Sequence, residues 1–202
     1  MQTVQRVDER PSVTLGPCDA AGMAEKLVFR TTVEALLQRT LRAKGRLTPA
    51  VIEKLKALGV DPDVPKDVPK ATWQSLLWFA AELLSPGAPK EDQLRVLGGE
   101  LLRAWNGTLP GKVLFATLRV IGVRRGLHRM STNFRSTNSY TTSTAKDLGP
   151  NDVEVWMSDV NGAPSYIQGL MHEAVVLAGG KNASVEISGT EGDSATYRIR
   201  WS

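Results

Sequence analysis

Residues 153–180 read VEVWMSDVNGAPSYIQGLMHEAVVLAGG, and this stretch decides the fold. Its first residues alternate, with Val153, Val155 and Met157 on one side and Glu154 and Trp156 on the other. A period of two belongs to a strand with one buried face. From Pro164 the period lengthens, and Tyr166, Ile167, Leu170, Met171, Ala174 and Leu177 fall on one face of a helix. Pro164 suits the first helical position, and Gly179-Gly180 suits the stop.

Upstream, residues 138–148 alternate and are rich in Thr, which predicts a second strand. Gly149-Pro150-Asn151-Asp152 is a turn, so the two strands form an antiparallel hairpin. Downstream, Ser184 to Ile187 and Thr196 to Trp201 read as two more strands, joined around Gly192-Asp193. The C-terminal half is therefore β-β-α-β-β.

The N-terminal half has helical period instead. Thr31 or Thr32 is expected to cap a first helix with Val33, Leu36, Leu37, Thr40 and Leu41 inward, ended by Gly45. Thr48 and Pro49 open a second one. DPDVPKDVPK, residues 61–70, carries three prolines and is a loop. After Thr72 comes WQSLLWFAAELL, read as the most buried helix, with Trp73 and Trp78 as core. Residues 90–106, 113–120 and 124–133 continue the helical pattern. Helices segregated from strands indicate an α+β fold. We expect a mobile tail over 1–24 and one domain over 25–202, an N-terminal helical half followed by a β-β-α-β-β antiparallel sheet.

The totals exclude several classes. With 202 residues and 42% hydrophobic content the chain reads as soluble and globular. No stretch approaches a membrane span, and MQTVQRVDER has no apolar core of a signal peptide. A single cysteine, Cys18, allows no internal disulfide, so a cytoplasmic setting is the default. Two histidines, His128 and His172, are too few for a His/Cys metal site. Met171-His172-Glu173 begins like HExxH, but Val176 stands where the second histidine belongs. No nucleophile elbow or phosphate-binding loop is present, so no enzyme chemistry and no metal are expected. The pI near 9.3 invites nucleic acid weakly, but no helix-turn-helix spacing, zinc finger or lysine-rich tail follows, and nucleic acid is not expected.

One feature points to a ligand. Between Glu100 and Asp147 there is no acidic residue, and eight cations stand there. The net charge of the chain is only +4, so the rest sums to −4. Ser, Thr and Asn fill 11 of the 14 places from Ser131 to Thr144. Arg125 and Arg129 are four apart on one helix face, and Arg135 follows. As a guanidinium clamp these would hold a carboxylate or phosphate. As a solvated face, or paired with acids such as Glu154 and Asp159, they would hold nothing, and that is the default for surface charge. Period-two alternation puts Asn138 and Tyr140 on one strand face.

The segments LVFRTTVEALLQRTL from Leu27, LTPAVIEKLKALGVD, SPGAPKEDQLRVLG and above all NFRSTNSYT, VEVWMSDVNGAPSYIQGLMHEAVVLAGGKNASVEI and ATYRIRW resemble a large paralogous family of myxobacterial proteins without assigned function, over about residues 26–201. The helical half followed by hairpin–helix–hairpin is also similar to a wider fold group. It includes haem-nitric-oxide/oxygen-binding domains, 4-vinyl-reductase sensor domains and transport-particle (TRAPP) subunits. That resemblance implies a hydrophobic or cofactor pocket between helices and sheet, and often a dimer through helices. Haem-binding members use Tyr-x-Ser-x-Arg for the propionates. Phe134-Arg135-Ser136 and Asn138-Ser139-Tyr140 do not spell it, and no histidine is clearly proximal, so no cofactor is expected.

Two functions follow as expectations. One is a non-enzymatic ligand-binding or sensory module. It would hold a small anionic or amphipathic ligand between the helices and the first hairpin, oriented by Arg125, Arg129, Arg135, Asn138 and Tyr140. The other is a protein-interaction or adaptor module working as a homodimer, motivated by the Trp- and Leu-rich helical half.

Overall fold

The computed structural model describes residues 25–202, with the backbone alone at positions 110, 131 and 133. The tail expected over 1–24 lies outside the described residues. The described chain opens on β1 (Leu27–Val28), which pairs antiparallel with β2 (Val68–Pro69) at the end of the proline-rich loop. Helix α1 (Arg30–Glu34) runs directly into a π-helical stretch, Ala35–Arg42. Val33, Leu36, Leu37 and Leu41 are all fully buried there. Thr40 is buried too, and its hydroxyl donates to the Ala35 carbonyl five residues back at 3.0 Å, across the wider turn.

Helix α2 (Pro49–Ala57) starts as expected: the Thr48 side chain accepts from the Val51 amide, and Pro49 takes the first helical place. Helices α3 (Lys70–Leu84) and α4 (Lys90–Asn106) follow. Helix α5 (Leu109–Ile121) begins four residues before the apolar pattern suggested, because Thr108 caps it by accepting from Gly111 N at 3.0 Å. Short helices α6 (Val123–His128) and α7 (Met130–Phe134) complete the half, with Gly122 at φ 84° turning the chain between α5 and α6.

Three local expectations are corrected. The cap of α1 is Phe29, without a side-chain bond, because Thr32 spends its hydroxyl on the Thr137 carbonyl at 3.2 Å. Helix α3 starts at Lys70, ahead of Thr72, and its Trp78 is 39% exposed while Trp73 is buried. The strand expected from Asn138 begins only at Ser143.

That strand is β3 (Ser143–Gly149), and β4 (Asp152–Met157) pairs with it antiparallel. Helix α8 (Pro164–Leu177), β5 (Ser184–Glu191) and β6 (Ser194–Arg200) finish the expected order. The sheet runs β3-β4-β6-β5, antiparallel throughout. In register, Val153 faces Ile199 and Val155 faces Tyr197, and all four are fully buried. Trp156, on the other face, is 40% exposed. One face of the sheet is thus core and the other is solvated.

The sheet is tied to α8 by Tyr197, whose hydroxyl donates to the Pro164 carbonyl at 3.1 Å, and by Gln168, which donates to the Val185 carbonyl at 2.6 Å. Behind α8 lies α4, and the two helices cross backbone against backbone. A Cβ at Gly98 would collide with the Tyr166 carbonyl, and one at Gly169 with the Arg95 carbonyl. Arg103 adds an ion pair to the buried Glu173 at 2.8 Å. One core joins the helical half, α8 and the inner face of the sheet.

Candidate ligand-binding cavity

Where α1, α4, α5 and α6 meet α8, the core does not close. A cavity of about 550 Å³ remains, within the range of small-molecule sites. Its walls are apolar: Leu101 and Leu102 of α4, Phe115 and Leu118 of α5, and Ala174 and Val175 of α8. The α6–α7 side shows why its cations stay out. Val123, Gly126, Leu127 and Met130 share the inward face, so Arg124, Arg125, His128 and Arg129 point the other way and are exposed. Among the described residues no charged side chain lines the cavity.

The five residues expected to orient a ligand therefore separate. Arg125, Arg129 and Arg135 are exposed and lie outside the cavity lining, and no described carboxylate pairs with them. Their neighbours Arg124 and His128, four apart on the helix, both reach Asp147, at 2.5 and 3.0 Å. The hydrogen bonds from Arg124 and then His128 push the Asp147 carboxyl down to about 2. Neither acid suggested as a partner is used: Asp159 holds lysines instead.

Asn138 does line the cavity and is buried, but its side chain is already engaged. Its Oδ1 accepts from the amides of Tyr140 and Thr141, at 3.1 and 2.7 Å, and its Nδ2 donates to the Thr137 hydroxyl at 3.2 Å. This turn, made by one asparagine, replaces the strand that alternation predicted over 138–142. Its backbone closes on β1: Asn138 bridges to Val28, and Phe29 N donates to the Thr137 carbonyl at 2.9 Å.

Tyr140 leaves the turn toward a polar cluster beside the cavity. Its hydroxyl donates to Asn161 Oδ1, and the ammonium groups of Lys26 and Lys70 stand 5.7 and 5.9 Å from its ring centre. Both lysines bind buried Asp159, at 3.0 and 2.7 Å, and Lys70 also binds Asp193 at 2.8 Å. The second oxygen of Asp159 accepts from the Asn161 amide at 3.0 Å. Burial alone would lower the Lys70 pKa, but the hydrogen bonds to Asp159 and Asp193 outweigh it and raise it. Asp193 is lowered, first by the hydrogen bond from Lys70. The Tyr140 hydroxyl is pushed up by burial, then by the charge of Asp159. Two acids face two lysines, so the cluster is electrically balanced. It pins β1, the start of α3, the turn at 138–141, the β4–α8 loop and the β5–β6 turn together. Sequence reading missed it because its members are spread over the whole chain. Only Asn161-Gly162, a turn signal with Asn161 at φ 59°, marked the loop.

Haem does not fit this cavity. His128 is bound to Asp147 outside, and His172 is exposed, so no imidazole reaches the interior. Among the described residues no arginine or lysine lines the space to receive propionates. Tyr166 lines it, but burial raises its pKa, which opposes the phenolate that iron would need. Among the described residues no cluster of three or more His, Cys, Asp or Glu could hold a metal, and no helix is long and apolar enough to cross a membrane.

With that geometry in place, the chain can be set beside known proteins. A family model, DUF2378, described as protein of unknown function, matches residues 26–202. The chain belongs to the DUF2378 family. Solved structures similar to this DUF2378 chain include H-NOX domains. An oxygen-binding H-NOX domain related to soluble guanylate cyclases, solved as an oxygen complex, is 18% identical. It aligns over 85% of this chain and 94% of its own length with a TM-score of 0.61. An H-NOX solved in work on the mechanism of H-NOX activation is 19% identical, over 86% and 96%, with a TM-score of 0.63. A point mutant of the T. tengcongensis H-NOX is 17% identical, over 85% and 96%, with a TM-score of 0.59. At such identity the likeness is one of fold. No curated protein matches the chain.

Proposed function

We propose that this DUF2378 chain is a non-enzymatic ligand-binding or sensory module, and that its ligand is a small apolar molecule held in the cavity between α8 and the N-terminal helices. One observation carries the reading. A well-packed core of this size does not leave about 550 Å³ open without cause. The fold shared with H-NOX domains supports it, since one of those domains is an oxygen-binding protein. The absence of charge in the described lining argues against the anionic ligand that the arginines suggested, and leaves the amphipathic one expected only in a form whose body is largely apolar.

Native mass spectrometry of the purified protein, with thermal unfolding against a panel of apolar compounds, tests this. A retained mass, or a midpoint raised by an apolar compound and not in Ala174→Phe, is the expected result. No retained mass and no stabilisation by any compound overturns it.

A protein partner is the second reading, favoured by α5. Leu109, Val113 and Val120 are 77%, 60% and 87% exposed. With Ala116 they follow a spacing of four, three and four, a seam suited to a second helix. Sedimentation of the native chain beside Val120→Asp tests it. A dimer that the substitution splits supports the homodimer, and a monomer at all concentrations removes it.

A further inference from the structure

Most polar groups on the cavity wall are already bound within the protein. The hydroxyls of Thr32, Thr137 and Thr141 donate to backbone carbonyls, and Asn138 is engaged at both ends. Tyr166 is different. It is 4% exposed and lines the cavity, yet no described group hydrogen-bonds its hydroxyl. Among the described residues no side-chain nitrogen or oxygen sealed from solvent lacks a partner. The Tyr166 oxygen is therefore not sealed, and the cavity is the open space that Tyr166 lines.

Two more groups share this condition. The indole N–H of Trp73, 2% exposed, and the Nδ2 of Asn161, 5% exposed, have no described acceptor, and both residues line the cavity. The three belong to one end. Asn161 and Tyr166 bracket the start of α8, and Trp73 sits in the first turns of α3. Gln74, the next residue, would touch a Cβ placed on Gly162. Tyr140, bonded to Asn161, lies close enough to Tyr166 to act on its ionisation. Val123, Leu127 and Ala178, from α6 and the end of α8, give the wall an apolar stretch.

Indole and amide N–H groups donate only, and a phenol can donate. Resting on the cavity reading above, we infer that this end of the cavity takes a neutral hydrogen-bond acceptor, such as the carbonyl of a ketone, ester or amide, carried on an apolar body that fills the rest. An ionised head is refused. Among the described residues no cation lines the space, and Lys26 and Lys70 are already neutralised by Asp159 and Asp193. A buried anion without a cation is strongly disfavoured.

The test is a matched series against the full chain: octane, 2-octanone and octanoate at about pH 8, where the acid is ionised, with affinities read by calorimetry. The ketone is expected to bind about tenfold tighter than the alkane, the size of one or two net hydrogen bonds. Octanoate is expected to bind less tightly than the ketone. Tyr166→Phe should lower ketone affinity several-fold and leave octane unchanged, and Trp73→Phe should do likewise. Unfolding midpoints check that each variant is folded, and Tyr166→Phe removes no described bond. Ketone and alkane binding alike, a Tyr166→Phe loss shared equally by octane, or octanoate binding tightest overturns the head-group inference while the cavity stands. If none of the three binds, the cavity reading falls and takes this inference with it.

Discussion

Two polar sites flank the start of α8, and they are built on opposite terms. Around Asp159 the charged groups are satisfied: two lysines and a backbone amide meet one buried carboxylate. Across Asn161, on the cavity side, Tyr166, Trp73 and the asparagine amide are left without described partners. A satisfied cluster of this kind joins segments far apart in sequence and holds them. An open one keeps hydrogen-bonding capacity that a visitor can take up. The difference separates groups that maintain the structure from groups available to a ligand.

The comparison breaks most visibly at Asp159. Asp159→Ala takes the acid from Lys26, leaves Lys70 with Asp193 alone and frees the Asn161 amide, and should cost about 3 kcal/mol in urea unfolding, since it removes the one buried carboxylate that the cluster shares. A loss near zero would show that the cluster holds nothing. Next comes Gly169→Ala, which forces α8 away from the Arg95 carbonyl. It should cost about 2 kcal/mol by overpacking and weaken ligand binding, because Tyr166 moves with the helix. Filling the cavity should do the reverse. Ala174→Phe occupies space already empty, so stability should change by less than about 1 kcal/mol, while binding of apolar compounds disappears.

The smallest effect is on pH. The carboxyls of Asp193 and Asp147 sit below their ordinary value in the folded chain, Asp147 at about 2. Their contribution is complete above the ordinary carboxylate range and is lost as pH falls through it toward about 2. Lys70 sits above its ordinary 10.5, so its share is present below that value and is lost as pH rises past it. Unfolding midpoints across both limits should fall at each end. In Lys70→Met the alkaline fall should shrink, and so should the Asp193 part of the acid fall.

Much of the frame was legible because it depends on period. The alternation of Val153, Val155 and Met157 and the stripe along α8 are statements about burial, and burial is what the sequence pattern records. The segment 138–142 was misread for a related reason. Threonine and serine alternate there, but a single side chain, Asn138, captures two amides and bends the backbone before a strand can start. The arginines misled because charge density along a chain does not say which face of a helix it occupies: Arg125 and Arg129 decorate the outside of the very element whose Leu127 forms the cavity wall. Tyr166 was placed correctly on the apolar stripe. That its hydroxyl would lack a partner depends on neighbours from α3 and the β4–α8 loop, which no local reading brings together.

The glycine crossing has a mechanical corollary. With the carbonyls of Tyr166 and Arg95 standing where side-chain carbon would be, α4 and α8 are pressed together with no slack between them. A guest larger than the vacancy cannot gain room by prising that pair apart. Any strain it creates falls instead on the outer wall of α5 and α6, where Gly122 turns the chain between the two helices, and that wall carries Arg125 and Arg129 on its outside.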